Sequence, residues 1–158
     1  MIKDGISAQL AAMKEFFDRS TRALEEADSN FTPKEGTFTV AQQVAHAAQT
    51  VEWFIKGAFA PGGFDMDFET MDKQVRAVTS LGAARAWMDR ACASAKDEIA
   101  KHSDADWSAP LADGPIMGGQ PRFVIFNALT DHTAHHRGAL TVYARLLNKV
   151  PPMPYMEM

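Results

Sequence analysis

Asp131-His132-Thr133-Ala134-His135-His136-Arg137-Gly138 holds three of the chain's five histidines and lies inside a longer apolar-periodic stretch, Pro121 to about Asn148. Residues four apart on an α-helix sit one above the other on the same face. His132 and His136 therefore point the same way, one turn apart. On a wheel of about 100° per residue, Ile125, Leu129, Ala139, Tyr143, Leu146 and Leu147 fall within about 60° of His132. Asn127, Thr130, Thr141, Arg145 and Asn148 fall opposite. The pair is centred on the stripe that faces a core. Each buried ring nitrogen left unpaired costs roughly 1–3 kcal/mol. Two arrangements satisfy the pair: hydrogen bonds to hydroxyls or carbonyls across a bundle, or a shared metal ion.

Three further stretches carry helical periodicity. Ile6, Leu10, Met13, Phe17 and Leu24 recur from about Asp4, a suitable N-cap, to Glu26. Val40, Val44, Ala47, Val51, Phe54 and Ala58 mark a second helix from about Thr39 to Ala60, stopped by Pro61-Gly62-Gly63. Ser80 caps a third long helix to about His102, with Ala84, Met88, Ala91, Ala95 and Ile99 as its stripe. Pro121 suits the first position of the last helix. The connector 63–79 has room for one short helix, around Glu69 to Val78. The loop Ser103–Gln120 is long and rich in Gly, Pro and Asp, which in a compact domain marks a segment that is either mobile or part of a site. No alternating strand run is found. The expected fold is all-α: a four-helix bundle with long crossover connections, forming one domain over residues 1–158.

Hydrophobic residues make up 46% and charged residues 23%, the balance of an ordinary globular protein. No apolar run approaches the ~18 residues of a membrane span. Met1-Ile2-Lys3-Asp4-Gly5-Ile6 has an early acid and no apolar core, so no secretory signal is expected. The single cysteine, Cys92, fits a reducing, cytoplasmic setting and a small core hydrophobe. With a net charge of -4 and no stripe of Lys and Arg, nucleic acid is not an expected partner. A small molecule is.

Two ligands do not hold an ion well, so a third matters. His46 lies mid-way along the second helix, off its aliphatic stripe, on a flank shared with Gln42, Gln49, Thr50, Trp53 and Gly57. Hydrogen-bonding groups, one large aromatic and a residue with no side chain suit a pocket wall. Taken alone, His46 is more often an ordinary partly buried histidine. His102 ends a helix, where an imidazolium complements the dipole. Arg137 lies well round the wheel from the pair, which suggests a structural ion pair. Trp53 and Trp87 read as core.

Val44-Ala45-His46, the run His132-x-x-x-His136-Arg137-Gly138 and Pro151-Pro152 after the last helix resemble the DinB (DNA-damage-inducible) superfamily, over nearly the whole chain. The resemblance implies a four-helix bundle in which three histidines hold a divalent metal, often nickel or zinc, and commonly a homodimer. His46, His132 and His136 match the three ligands by position; His135 matches none. Many relatives have glutamine after the Arg-Gly pair, where this chain has Ala139.

Three neutral imidazoles with an open position make a catalytic rather than a closed structural site. Such an ion can lower the pKa of water, or coordinate and deprotonate a thiol. Hydrolysis wants a carboxylate or histidine near the water, and Glu52 and Asp131 are expected to point away. Thiol-dependent S-transferase chemistry with a low-molecular-weight thiol is therefore the first expectation, with Ser103–Gln120 shaping the mouth. Some relatives carry out such reactions. The alternatives are a metal-dependent hydrolase, or a non-catalytic, stress-associated metal-binding dimer. An ion position that opens into a cleft would favour an enzyme. A di-iron carboxylate site would need Glu-x-x-His pairs, and the chain has none.

Overall fold

A computed structural model describes residues 1–157. Four long helices, α1 (Ile2–Thr21), α2 (Val40–Phe59), α4 (Leu81–Lys101) and α6 (Ile125–Leu146), form the bundle; short α3 (Phe68–Arg76) and α5 (Asp104–Ser108) lie in its connections. Among the described residues there is no strand, only an isolated bridge between Pro110 and Pro121. No described helix is long and apolar enough to cross a membrane.

Local chemistry sets the helix starts. Thr39 accepts from the Gln42 amide while the Gln42 side chain returns to the Thr39 amide, closing a capping box at the head of α2. Ser80 caps α4 through the Ala83 amide at 3.1 Å, and Asp67 caps α3 through Thr70. Two predicted starts differ. Helix α1 already begins at Ile2, so Asp4 sits inside its first turn, beside the free amides it complements. Pro121 precedes a 3-10 turn, Arg122–Val124, and α6 starts only at Ile125. At the far end of α1 the helix stops at Thr21 rather than near Glu26. Glu25 and Asp28 close a separate capped 3-10 turn there.

In the bundle α2 packs on α4 and α6, and α1 packs on α6 and α4. Sequence neighbours α1 and α2 thus sit across a diagonal, as do α4 and α6. Both of those connections must cross an end of the bundle, which is why they are long. The α2–α4 connection joins adjacent helices, and its helix α3 lies against α2. Phe17, Met88, Ile99, Trp107 and Phe126 are among the largest fully buried side chains. Trp107 comes from α5, within the stretch expected to be an open loop. Leu146, expected on the core-facing stripe of the last helix, is instead 55% exposed.

Candidate metal centre

His46 projects from α2 toward the His132 and His136 rings of α6. Its ring centroid lies 5.1 Å from that of His132 and 4.8 Å from that of His136. The Nε2 atoms of His132 and His136 are 3.2 Å apart, and the three nearest ring nitrogens all lie within 4.8 Å of one another. The structure thus brings together the three imidazoles the sequence singles out. His135 is exposed and outside the group.

The proton on His136 can be placed by following hydrogen bonds outward. The Tyr143 hydroxyl donates to the Phe38 carbonyl at 3.0 Å and accepts from Gln43 Nε2 at 3.3 Å. That turns Gln43 Oε1 toward His136 Nδ1, 2.5 Å away. An amide oxygen only accepts, so Nδ1 carries the hydrogen and the Nε2 lone pair faces the other two imidazoles. Gln43 is buried, a site residue that helical periodicity alone does not single out. Its signal is a polar side chain three residues after Val40 and four before Ala47, on an otherwise aliphatic stripe.

Burial disfavours charge on all three rings. The His136 imidazole is pushed down to about 3 by burial, with His132, His46 and His135 adding repulsion. His132 is pushed down to about 4 by burial and by His46 and His135, against a smaller opposing pull from Asp131. His46 is lowered by burial, opposed by Asp72. Neutral imidazoles are the form a metal needs. Tetrahedral bonds of about 2.0–2.1 Å place ligand nitrogens roughly 3.3 Å apart. The His132–His136 spacing meets that already, and the donor set fits a transition metal. His132 Nδ1 is buried with no partner among the described residues.

The His46 and His132 rings form part of the wall of a cavity of about 520 Å³. Gln49, Thr50, Trp53 and Phe54 of α2, Phe68, Met71 and Asp72 of α3, and Ala128 and Asp131 of α6 complete it. Two expectations change here. The mouth is shaped by α3, not by Ser103–Gln120. That loop lies against the far end of α2, where Arg122 grips the Ala58 carbonyl, twelve residues or ~18 Å along the helix from His46. Asp131 and Asp72 line the cavity, so its wall does include carboxylate residues. Asp72 is tied to Arg76 at 2.7 Å; Asp131 has no ion-pair partner among the described residues.

The flank of α2 read as a pocket wall also holds α3 in place. Gln42 donates to the Arg76 carbonyl (2.9 Å), Gln49 to the Met71 carbonyl (3.0 Å) and Trp53 to the Asp65 carbonyl (2.7 Å). Trp53 is therefore a wall residue rather than core. Arg137 makes no ion pair among the described residues and lies over the rings of Phe16 and Tyr155. His102 caps α4 as expected, paired with Glu98 and stacked on Phe59 at 3.7 Å. Cys92 is buried beside Met88, its thiol pushed up to about 11 by burial.

Among curated proteins none matches this sequence. A solved structure is similar: YfiT from Bacillus subtilis, described as a probable metal-dependent hydrolase with an unusual four-helix bundle topology. The TM-score is 0.70 at 13% identity, over 93% of this chain and 88% of that one. At that identity the likeness establishes the fold. The family model of the DinB superfamily matches residues 9–140. The chain belongs to the DinB superfamily.

Proposed function

We propose that this protein is a metal-dependent hydrolase of small amides or esters, with one divalent ion held by His46, His132 and His136. The observation that carries this reading is the cavity of about 520 Å³ onto which His46 and His132 open, a size that suits a small-molecule substrate. A divalent ion in such a site supplies a Lewis acid that polarises a carbonyl and acidifies water. The chain's own residues supply the rest. Gln43 holds His136 in the tautomer that leaves Nε2 free. Asp72, whose charge acts on His46, offers a carboxylate able to take a proton from water and return it. In the reaction, the water oxygen bonds to the carbonyl carbon and the bond to the leaving nitrogen or oxygen breaks. The released proton passes through a carboxylate to the leaving group.

Thiol-dependent transfer is the second reading. Its support is the same cavity, roomy enough for a low-molecular-weight thiol beside an acceptor. The two separate in one experiment on protein purified without a histidine tag. Metal analysis should give one ion per chain, lost in His136→Ala with helicity retained. The loaded protein should then cleave amide or ester substrates without added thiol. Absence of stoichiometric metal overturns the proposal, and turnover only with a thiol present transfers it to the second reading.

A further inference from the structure

The cavity wall has a chemical bias beyond its size. Trp53, Phe54 and Phe68 present three aromatic rings, with the Trp53 and Phe68 centroids 6.1 Å apart. Met71 adds a polarisable thioether. Phe68 is 51% exposed at the start of α3, an aromatic surface still to be covered. The charged side chains on the wall are Asp72 and Asp131; it carries no lysine or arginine among the described residues. Asp72 is engaged by Arg76, and Asp131, next to His132 in the chain, has no ion-pair partner among the described residues. Aromatic faces attract cations through their quadrupole, and a nearby carboxylate adds to the same preference. A carboxylate or phosphate on the ligand would meet charge of its own sign and find no cationic side chain on the wall among the described residues.

We infer that the cavity takes an amine-bearing molecule with an aromatic or bulky apolar group, the apolar part against Trp53 and Phe68 and the ammonium toward Asp131. This rests on the hydrolase reading for the position of the scissile carbonyl, but the recognition itself does not need the ion.

The test has two arms, on the full chain. With zinc-loaded protein, four hydroxamates are titrated calorimetrically: acetohydroxamate, benzohydroxamate, and benzohydroxamates carrying a 4-aminomethyl or a 4-carboxylate group. The hydroxamate occupies the metal in each case, so differences report the wall. The aminomethyl compound should bind at least tenfold tighter than the carboxylate, and benzohydroxamate at least tenfold tighter than acetohydroxamate. Asp131→Asn should erase the charge preference and keep the aromatic one, and Phe68→Ala should weaken the aromatic one. Equal or reversed ranking of the charged pair, or no gain from the ring, overturns the inference while leaving the metal reading intact.

In the second arm, metal-free protein is titrated with 2-phenylethylamine and with phenylacetate, following tryptophan fluorescence. The amine should bind at least tenfold tighter, and less so in Asp131→Asn; no preference for the amine overturns the inference. If zinc is not taken up, the metal reading fails and this arm alone judges the inference.

Discussion

Gln43 and His136, ninety-three positions apart in the chain, face each other as amide oxygen and ring N–H at 2.5 Å, buried between α2 and α6. Groups that orient a ligating imidazole typically contribute 10–100-fold to metal affinity. Gln43→Leu should therefore weaken zinc binding by about that factor with the melting temperature of the metal-free protein changed far less than in a core truncation. Gln43→Glu, which keeps an acceptor on the same stem, should restore most of it. Competition titration with a chelating dye reads both. Unchanged affinity in Gln43→Leu would show that His136 holds its tautomer unaided.

The depressed imidazoles give a pH dependence whose sign can be worked out. In the unfolded chain each histidine titrates near 6.5, whereas folded His132 and His136 stay neutral down to about 4 and about 3 because of burial. Between those values the unfolded state binds more protons, so folding stability falls as pH falls. Denaturant melts of metal-free protein should be level above pH 7, then lose stability from about 6.5 toward 4. Replacing both residues with glutamine should flatten that window. Stability rising between pH 6.5 and 5 in the parent protein would contradict the burial of neutral rings.

Two glycines in helices should respond oppositely to alanine. At Gly57 an added Cβ would lie 2.1 Å from Phe64 Cδ1, and Phe64 is packed on Trp53 at 4.7 Å and Phe54 at 5.9 Å. Overpacking of roughly 1–3 kcal/mol outweighs a helix-propensity gain of about 1 kcal/mol. Gly57→Ala should be destabilised and shift the tryptophan emission. At Gly138 nothing lies within 4 Å of the built Cβ, so Gly138→Ala should gain roughly 0.5–1 kcal/mol. Thermal melts of the two variants check the contrast.

Thr133 sits buried in α6 with its hydroxyl unpartnered among the described residues. Thr133→Val keeps the branched shape and removes a desolvated oxygen, so a gain of about 1 kcal/mol in unfolding free energy is expected. A loss of that size would reveal a hydrogen bond to this oxygen.

The helices were legible because burial on one side writes a 3.6-residue period into Val40, Val44, Ala47 and Val51, and because Thr39 and Ser80 announce their starts. The two stacked histidines followed from the same period. What periodicity does not encode is which helices become neighbours. The α1–α2 and α4–α6 diagonals, and hence the place of the loop 103–120, came only with the fold. Length alone points to that loop as the mouth, while the short α3 of the other connection occupies it. A helical wheel turns Asp131 away because it treats a side chain as a radial point, whereas in the fold Asp131 and His132 line one cavity that α3 completes. Gln43 is masked in the sequence because its neighbours on the stripe, Val40 and Ala47, are apolar. Helix α5 was missed because five residues are too few for a period, although Ser103 and Asp106 do form its capping box.

The way α2 grips α3 bears on how such a chamber can be retailored. Gln42, Gln49 and Trp53 hold main-chain oxygens at Arg76, Met71 and Asp65, groups that every amino acid supplies alike. The side chains that α3 turns to the interior, Phe68 and Met71 among them, are left free to vary without loosening the segment that bears them. A nine-residue cassette could thus be exchanged for another to change what the chamber accepts, while the imidazoles opposite stay where the long helices put them.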